Sequence, residues 1–246
     1  MKENLLNQNP YSASEIEVLE GLEPVRHRPG MYIGGTDKNA LHHLAVEIID
    51  NCIDEVVAKH ATTIKVELLE DNFIKISDNG RGIPIDNHPK FKNKSALEVI
   101  MTTLHSGGKF SNKNYTTSGG LHGVGASVVN ALSEHMKVEV IRSGFLYRQE
   151  FSKGLPTTTL SKIEPTKKSN GTIITFKPDD TIFVDAHIFS PEKIYKILEY
   201  KAYLVAGVQI DWKCHSSLLT DSSIIPTSKK LCFLDGLSEY MHSKTS

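Results

Sequence analysis

The sequence predicts a mixed α/β sandwich, a β-sheet layered with helices, on three observations. Strand patterns arrive as neighbours: "TIKVELL" and "FIKIS" joined by the turn "EDN", and later "KVEVI", "FLYRQEF" and "GTIITF". Apolar residues at helical spacing run from Leu41 to Val57 and resume at Val124, Val128, Val129 and Leu132. Hairpin strands followed by helices argue against a parallel βαβ array, and the chain has no internal repeat.

In chain order, residues 1 to 15, "MKENLLNQNPYSASE", are polar, Asn-rich and aperiodic, the composition of an arm that orders only against something else. The helix over 41–57 has two unlike faces. With Glu47 placed at zero and about 100° per residue, Ala45, Ile49, Cys52 and Val56 fall at about 140° to 200°, a core face. His43, Glu47, Asn51 and Asp54 lie within about 40° of zero, on the opposite side. Taken alone, that stripe suits either a solvated surface or proton transfer with magnesium coordination. No lysine or arginine falls between 41 and 58, whereas a solvent face usually mixes both signs.

The second strand ends in "ISDNGRGIP", residues 76 to 84, where Asp78 closes the strand and the chain turns through Gly80 and Gly82. The same letters suit a bare turn or a pocket: a carboxylate at a strand end can accept from an exocyclic amine, and the Ile-Pro pair can wall a flat ring. From Ile85 to Ser118 the chain is long, polar and lysine-bearing (Lys90, Lys92, Lys94, Lys109, Lys113), with one short helical run, "SALEVIMTTL". That composition predicts a mobile lid.

Next comes "SGGLHGVGASVVNAL", with Gly119, Gly120, Gly123 and Gly125 leading into a helix. Glycines clustered there suit positive φ or close approach of another group to the main chain, and a helix start offers N–H groups and a positive dipole to an anion. A Walker loop would need Lys where Ala126 stands, and the G-x-G-x-x-G dinucleotide fingerprint does not fit. On its own the cluster remains either a phosphate loop or a structural one.

Composition narrows the function classes. The 246 residues are 39% apolar and 23% charged, which fits one soluble domain with a substantial core. A formal net charge of -1 argues against a dedicated grip on duplex DNA. Cys52, Cys214 and Cys232 form no C-x-x-C pair, and no stretch resembles a secretory leader or a membrane span, which predicts the cytoplasm and no membrane partner.

Taken in order, "EIIDNCIDE", "SDNGRGIP", "LHSGGKFSNKNY", "SGGLHGVGASVVNAL" and "GTIITF" resemble the ATP-binding domain shared by type II topoisomerases, Hsp90-type chaperones, MutL proteins and histidine kinases. Two further stretches, "IEVLEGLEPVRHRPGMYIGG" and "HSGGKFSNKNYTTSGGLHGVG", are similar to the ATPase subunits of bacterial topoisomerase IV and gyrase, more to the topoisomerase IV side of that pair. The resemblance is dense from Tyr11 to about Phe176 and looser to "LCFLDGLSEYM". It implies a two-layer sandwich of a mixed β-sheet and helices, the Bergerat ATP-binding fold. It also implies an arm over 1–15, an ATP-binding domain over 16–225 with its lid at about 85–118, and a linker starting at 226–246 toward an absent transducer domain.

The resemblance also implies roles. Glu47 would be the general base for the water attacking the γ-phosphate, oriented by His43, while Asn51 would complete the coordination of Mg2+. Asp78 would take the adenine amino hydrogen, supported by Thr172. Glu55 would pair with Arg81 at the pocket mouth, and Gly82, Ile83 and Pro84 would line it. Gly120, Leu121, His122, Gly123, Val124, Gly125 and Ala126 would fold over the triphosphate, closed from above by Lys109 and Tyr115. Tyr11 and Ile16 match an arm that reaches the nucleotide of a second copy of the chain, so ATP would couple to dimerisation. DNA and the companion A subunit of such enzymes would be met through regions outside this chain, which predicts a fragment. "NHPKFKNKSALEV" departs from the acidic segment usual at that point, so lid dynamics are expected to differ. An ATP-operated clamp for strand passage leads; gyrase, a chaperone-type or repair-type ATP switch, and a purely structural reading are its rivals.

Overall fold

The computed structural model describes residues 18–106, 125–186, 188–220 and 223–245 of the chain. Two short helices, α1 (Glu23–His27) and α2 (Gly30–Ile33), precede the long α3 (Lys38–Val57). Then come β1 (Thr63–Leu68), β2 (Ile74–Asp78), α4 (Ala96–Thr102), α5 (Gly125–Ala131), β3 (Ser133–Arg142), β4 (Phe145–Ser152), β5 (Leu155–Pro156) and β6 (Ser161–Pro165). The chain closes with β7 (Gly171–Pro178), α6 (Pro191–Leu204), β8 (Gln209–Cys214), β9 (Ser228–Leu231) and α7 (Leu237–Thr245).

Among the described residues the strands form one nine-stranded sheet in the order β5-β4-β3-β7-β2-β1-β8-β9, with β6 also on β4. Among the described strands only β1 and β8 pair in parallel, so the sheet is mixed, as the hairpin pattern predicts. Alternation along the strands sends Ile64, Val66, Ile74, Ile76, Met136, Val138, Ile174, Phe176 and Trp212 into the core. The intervening positions carry charge: Lys75 pairs with Glu67 at 3.4 Å and Arg148 with Glu139 at 2.7 Å. Helices α3, α5 and α6 lie on the sheet. The result is the expected two-layer sandwich.

Asp37 starts α3, its carboxylate accepting from the N–H groups of Asn39 and Ala40 at 2.9 Å each. The helix buries Leu41, Leu44, Ala45, Ile48, Ile49, Cys52 and Ile53. That is the face the sequence assigns to the core, and it turns the His43, Glu47, Asn51 side away from it. Asp54 departs from the expected stripe: it is buried, on a last turn over which the chain folds back through His60 and Ala61, whose N–H groups return to the Glu55 carbonyl.

Two of the stretches bounded above carry regular structure of their own. Residues 96–102 fall inside the stretch read as a lid, yet α4 is capped by Ser95 and buries Leu97, Val99 and Met101 beside α5, so this part of the lid belongs to the helical layer. Residues from 226 onward, read as the start of a linker, add β9 to β8 and carry α7 onto α6. An aromatic cluster seals that junction: Tyr203 stacks on Phe233 at 3.6 Å, and Tyr240 meets Tyr203 and Tyr200 edge-on.

Candidate nucleotide site

The middle of α3, the end of β2, the start of β7 and the first described turn of α5 converge on one site. On α3, Nε2 of His43 lies 3.1 Å from Oε1 of Glu47, one turn on, and both side chains are partly exposed. That hydrogen bond raises the His43 pKa, with the charges of Glu47 and Asp50 adding to it. A Cβ at Gly125 would overlap the Glu47 carboxylate, so glycine at the first described residue of α5 is what admits that side chain. Asn51 follows one turn after Glu47 and is half-buried.

Asp78 ends β2 over the buried part of α3. Its Oδ1 accepts from the Gly80 N–H at 2.8 Å, and Oδ2 lies 3.5 Å from the Cys52 thiol, which donates to it. Burial, chiefly, raises its pKa to about 6, helped by the charge of Glu55 and opposed by the hydrogen bonds from Gly80, Cys52 and the Thr172 backbone. Gly171 makes this junction possible, because a Cβ there would run into the Asp78 carbonyl.

The loop after Asp78 is held from three sides. Glu55 takes Arg81 in a fork, Nη2 to Oε1 at 2.7 Å and Nε to Oε2 at 3.2 Å, and also accepts the Arg81 backbone N–H at 3.1 Å. Arg142, at the end of β3, donates to the Gly82 carbonyl at 2.8 Å. Thr172 accepts the Ile83 N–H at 3.3 Å through its hydroxyl. Gly82 itself sits at φ 74 with the carbonyls of Ile141 and Gly171 about it, a conformation and a space that a side chain would strain. Pro84 follows Ile83 at the edge of the site, and Ala126 follows Gly125 on α5, packed against the core.

The structure therefore brings together His43, Glu47, Asn51, Glu55, Asp78, Arg81, Gly82, Ile83, Pro84, Gly125, Ala126 and Thr172. Tyr11, Ile16, Lys109, Tyr115, Gly120, Leu121, His122, Gly123 and Val124 lie outside the described residues. Two participants were not singled out in the sequence. Cys52 falls on the core face of α3, and only the packing of that face against the end of β2 brings its sulfur to Asp78. Arg142 is a lone arginine before a turn, and nothing local ties it to a loop 60 residues earlier.

Chemically, the site offers a carboxylate with a histidine partner on one side. On the other it offers a half-desolvated carboxylate acceptor beside an apolar Ile-Pro edge. Among the described residues, no group of three or more His, Cys, Asp or Glu side chains could hold a metal ion, and no helix is long and apolar enough to cross a membrane.

Residues 36–182 match the family described as "Histidine kinase-, DNA gyrase B-, and HSP90-like ATPase". The chain is 56% identical over 245 residues to the B subunit of DNA topoisomerase 4 from Rickettsia typhi, covering 100% of this chain and 36% of that protein. It is 52% identical over 203 residues to the B subunit of DNA gyrase from Thermotoga maritima, covering 82% of this chain and 31% of that protein. Among solved structures, the 43K ATPase domain of Thermus thermophilus gyrase B in complex with an aminocoumarin superposes with a TM-score of 0.77 at 42% identity, over 91% of this chain and 54% of that one. The chain thus spans about a third of the length of these curated relatives.

Proposed function

Because this chain belongs to the histidine kinase-, DNA gyrase B- and HSP90-like ATPase family, we propose that it is the ATP-binding and hydrolysing domain of a topoisomerase IV B subunit. The observation that carries this reading is the junction of Glu47 with Gly125. In it a carboxylate and its histidine meet the first described turn of α5, while Asp78 at the end of β2 meets the other face of the same helix α3 through Cys52.

In this reading Asp78 accepts the adenine amino hydrogen, with Ile83 and Pro84 as the apolar wall. Glu55 and Arg81 hold the pocket mouth. Glu47 takes a proton from the water that attacks the γ-phosphate, and His43 keeps its carboxylate aimed. The loop from Gly120 to Ala126 donates N–H groups to the phosphates, under Lys109 and Tyr115. Asn51 fits Mg2+ as a single neutral oxygen ligand, which suits an ion that takes few protein ligands and completes its shell with phosphate and water. Bound there, Mg2+ would neutralise charge developing on the phosphates.

Whole-protein steps extend the same proposal. ATP binding would close a dimer of this chain through the arm bearing Tyr11 and Ile16. That closed clamp would drive passage of one DNA duplex through another, with the companion A subunit and the DNA engaged by regions outside this chain, in the cytoplasm. Gyrase is the second reading, favoured by the gyrase B structural neighbour. Decatenation without negative supercoiling by the reconstituted holoenzyme would separate the two.

The direct test is calorimetric titration of this chain with a non-hydrolysable ATP analogue and magnesium, in parallel with Asp78→Asn. Binding that weakens in the variant supports the site; binding that is identical in both removes Asp78 from it.

A further inference from the structure

The stretch "GLEPVRHRPGMYIGG" marks the family resemblance, yet it places no group in the nucleotide site. It forms α1, whose Val25 is fully buried and whose Arg26 reaches across to the far end of α5. There Nη1 of Arg26 donates to the Ala131 carbonyl at 2.7 Å, and Nη2 donates to Oδ2 of Asp179 at 2.7 Å. Asp179 is 1% exposed. Its other partners are Lys153 Nζ at 3.5 Å and Thr181, which donates its N–H and hydroxyl to Oδ1 at 3.0 and 2.7 Å.

The other carbonyls at this helix end are taken as well. The Ser133 hydroxyl donates to Val129 O at 2.6 Å, the Asp179 N–H to Leu132 O at 2.9 Å, and the Lys153 N–H to Ser133 O at 2.8 Å. A short helix thus ends in a socket where the carbonyls of Val129 and Ala131, and of Leu132 and Ser133 just beyond, all find donors. Arg26 is the strut that comes from α1 and grips both the helix and the buried carboxylate. About 9 Å away along α5, at 1.5 Å per residue, Gly125 abuts the Glu47 carboxylate.

We infer that Arg26 is a positioning residue for ATP hydrolysis: by holding Ala131 and Asp179 together it fixes how far α5 advances on Glu47. The inference rests on the ATPase reading above. It follows from stiffness, since a single two-turn helix transmits an axial shift from one end to the other. Removing the guanidinium leaves the Ala131 carbonyl unmatched in a partly buried place. Asp179 meanwhile keeps Lys153 and Thr181, so the fold retains its anchor while the helix loses its stop.

The test compares Arg26→Gln, Arg26→Lys and Asp179→Asn with the parent. Turnover and analogue affinity are measured in the full-length protein, and the His43 titration is followed by NMR in this chain without nucleotide. Arg26→Gln should lower kcat roughly tenfold, since misplacement by about 1 Å can cost up to 10²-fold, while analogue affinity changes less than about twofold. The His43 pKa, followed on the resonance of the folded protein, should drop toward its ordinary value as Glu47 leaves it, whereas partial unfolding would leave that resonance titrating as in the parent beside a separate unfolded one. Arg26→Lys should recover part of both effects. If Arg26→Gln fails to fold, Asp179→Asn must give the same split. A folded variant with unchanged kcat and unchanged His43 overturns the inference, as does a fall in kcat matched by affinity and by the fraction unfolded. A parent that binds no ATP overturns the ATPase reading instead, and the His43 titration still decides whether Arg26 seats α5.

Discussion

His43 and Glu47 are joined one turn apart on α3, Nε2 to Oε1 at 3.1 Å, and the Glu47 carboxylate ends against the backbone of Gly125. The carboxylate is therefore held between a ring and a helix start, aimed and not freely rotating. Glu47→Ala in the full-length protein should leave nucleotide affinity nearly intact and lower ATP turnover by roughly 10²- to 10⁴-fold, the usual range for loss of a general base. Steady-state hydrolysis beside analogue titration reads both quantities, and unchanged turnover would remove Glu47 from the proposed role.

Gly125 yields a prediction in which stability and activity part. Alanine is about 1 kcal/mol more favourable than glycine within a helix, yet its Cβ would occupy the place of the Glu47 carboxylate. Gly125→Ala should therefore melt no lower than the parent by more than a few degrees, while turnover falls on the order of tenfold or more because the base is displaced. A variant that hydrolyses ATP at the parent rate would show that Glu47 does not act from the place described.

These residues differ in how far the sequence exposes them. His43, Glu47 and Asn51 are legible because a single helix repeats at a fixed angle, and Asp78 because a strand pattern stops at it. Asp54 misleads by the same rule, since a helical wheel carries no record of the chain folding back over the last turn. Helix α4 is legible as a short helical run among lysines, but only its packing on α5 shows that Leu97 and Met101 belong to the core. Arg26 and Asp179 stand 153 residues apart, and no local pattern pairs them. Local periodicity thus reveals which side chains share a face, while the contacts that fix where that face sits come from distant segments.

Asp78 gives the site a pH dependence. Its pKa, raised to about 6 by burial, means that the carboxylate loses its charge as pH falls through that value. An adenine amino group needs the charged acceptor most, since hydrogen bonds to charged groups are worth about 1.5–3 kcal/mol. Affinity for an ATP analogue should be flat from pH 8 to about 7 and decline below about 6. Asp78→Asn should bind more weakly throughout and lose this acid limb. Calorimetry across that range, corrected for phosphate protonation with free nucleotide, reads the difference.

His42 sets an opposite linkage on the fold itself. Ser190 donates its N–H to Nε2 at 2.8 Å, so that nitrogen carries no proton, and Nδ1–H donates to the Lys38 carbonyl at 2.6 Å. The ring is thereby fixed as one neutral tautomer between α3 and the start of α6, with Phe189 edge-on to it. Burial lowers its pKa below 6.5, and Lys193 and Lys38 nearby add to that effect, against the Lys38 and Ser190 backbone contacts. In the unfolded chain the same ring takes up a proton near pH 6.5. Its contribution is therefore complete above that pH and is lost as pH falls below it, toward the lower folded value. Asp78 acts with the other sign, because its raised folded pKa returns stability as pH falls through about 6. Urea unfolding between pH 7.5 and 5 in an Asp78→Asn background removes that opposing carboxylate, and His43, whose raised pKa also returns stability as pH falls, titrates alike with and without His42. The His42 effect is therefore read as a difference between two proteins. His42→Gln, which keeps an acceptor for Ser190, should start roughly 1–2 kcal/mol less stable and lose less stability than the His42 protein below about pH 6.5. Equal slopes in the two proteins would mean that another group carries the acid sensitivity.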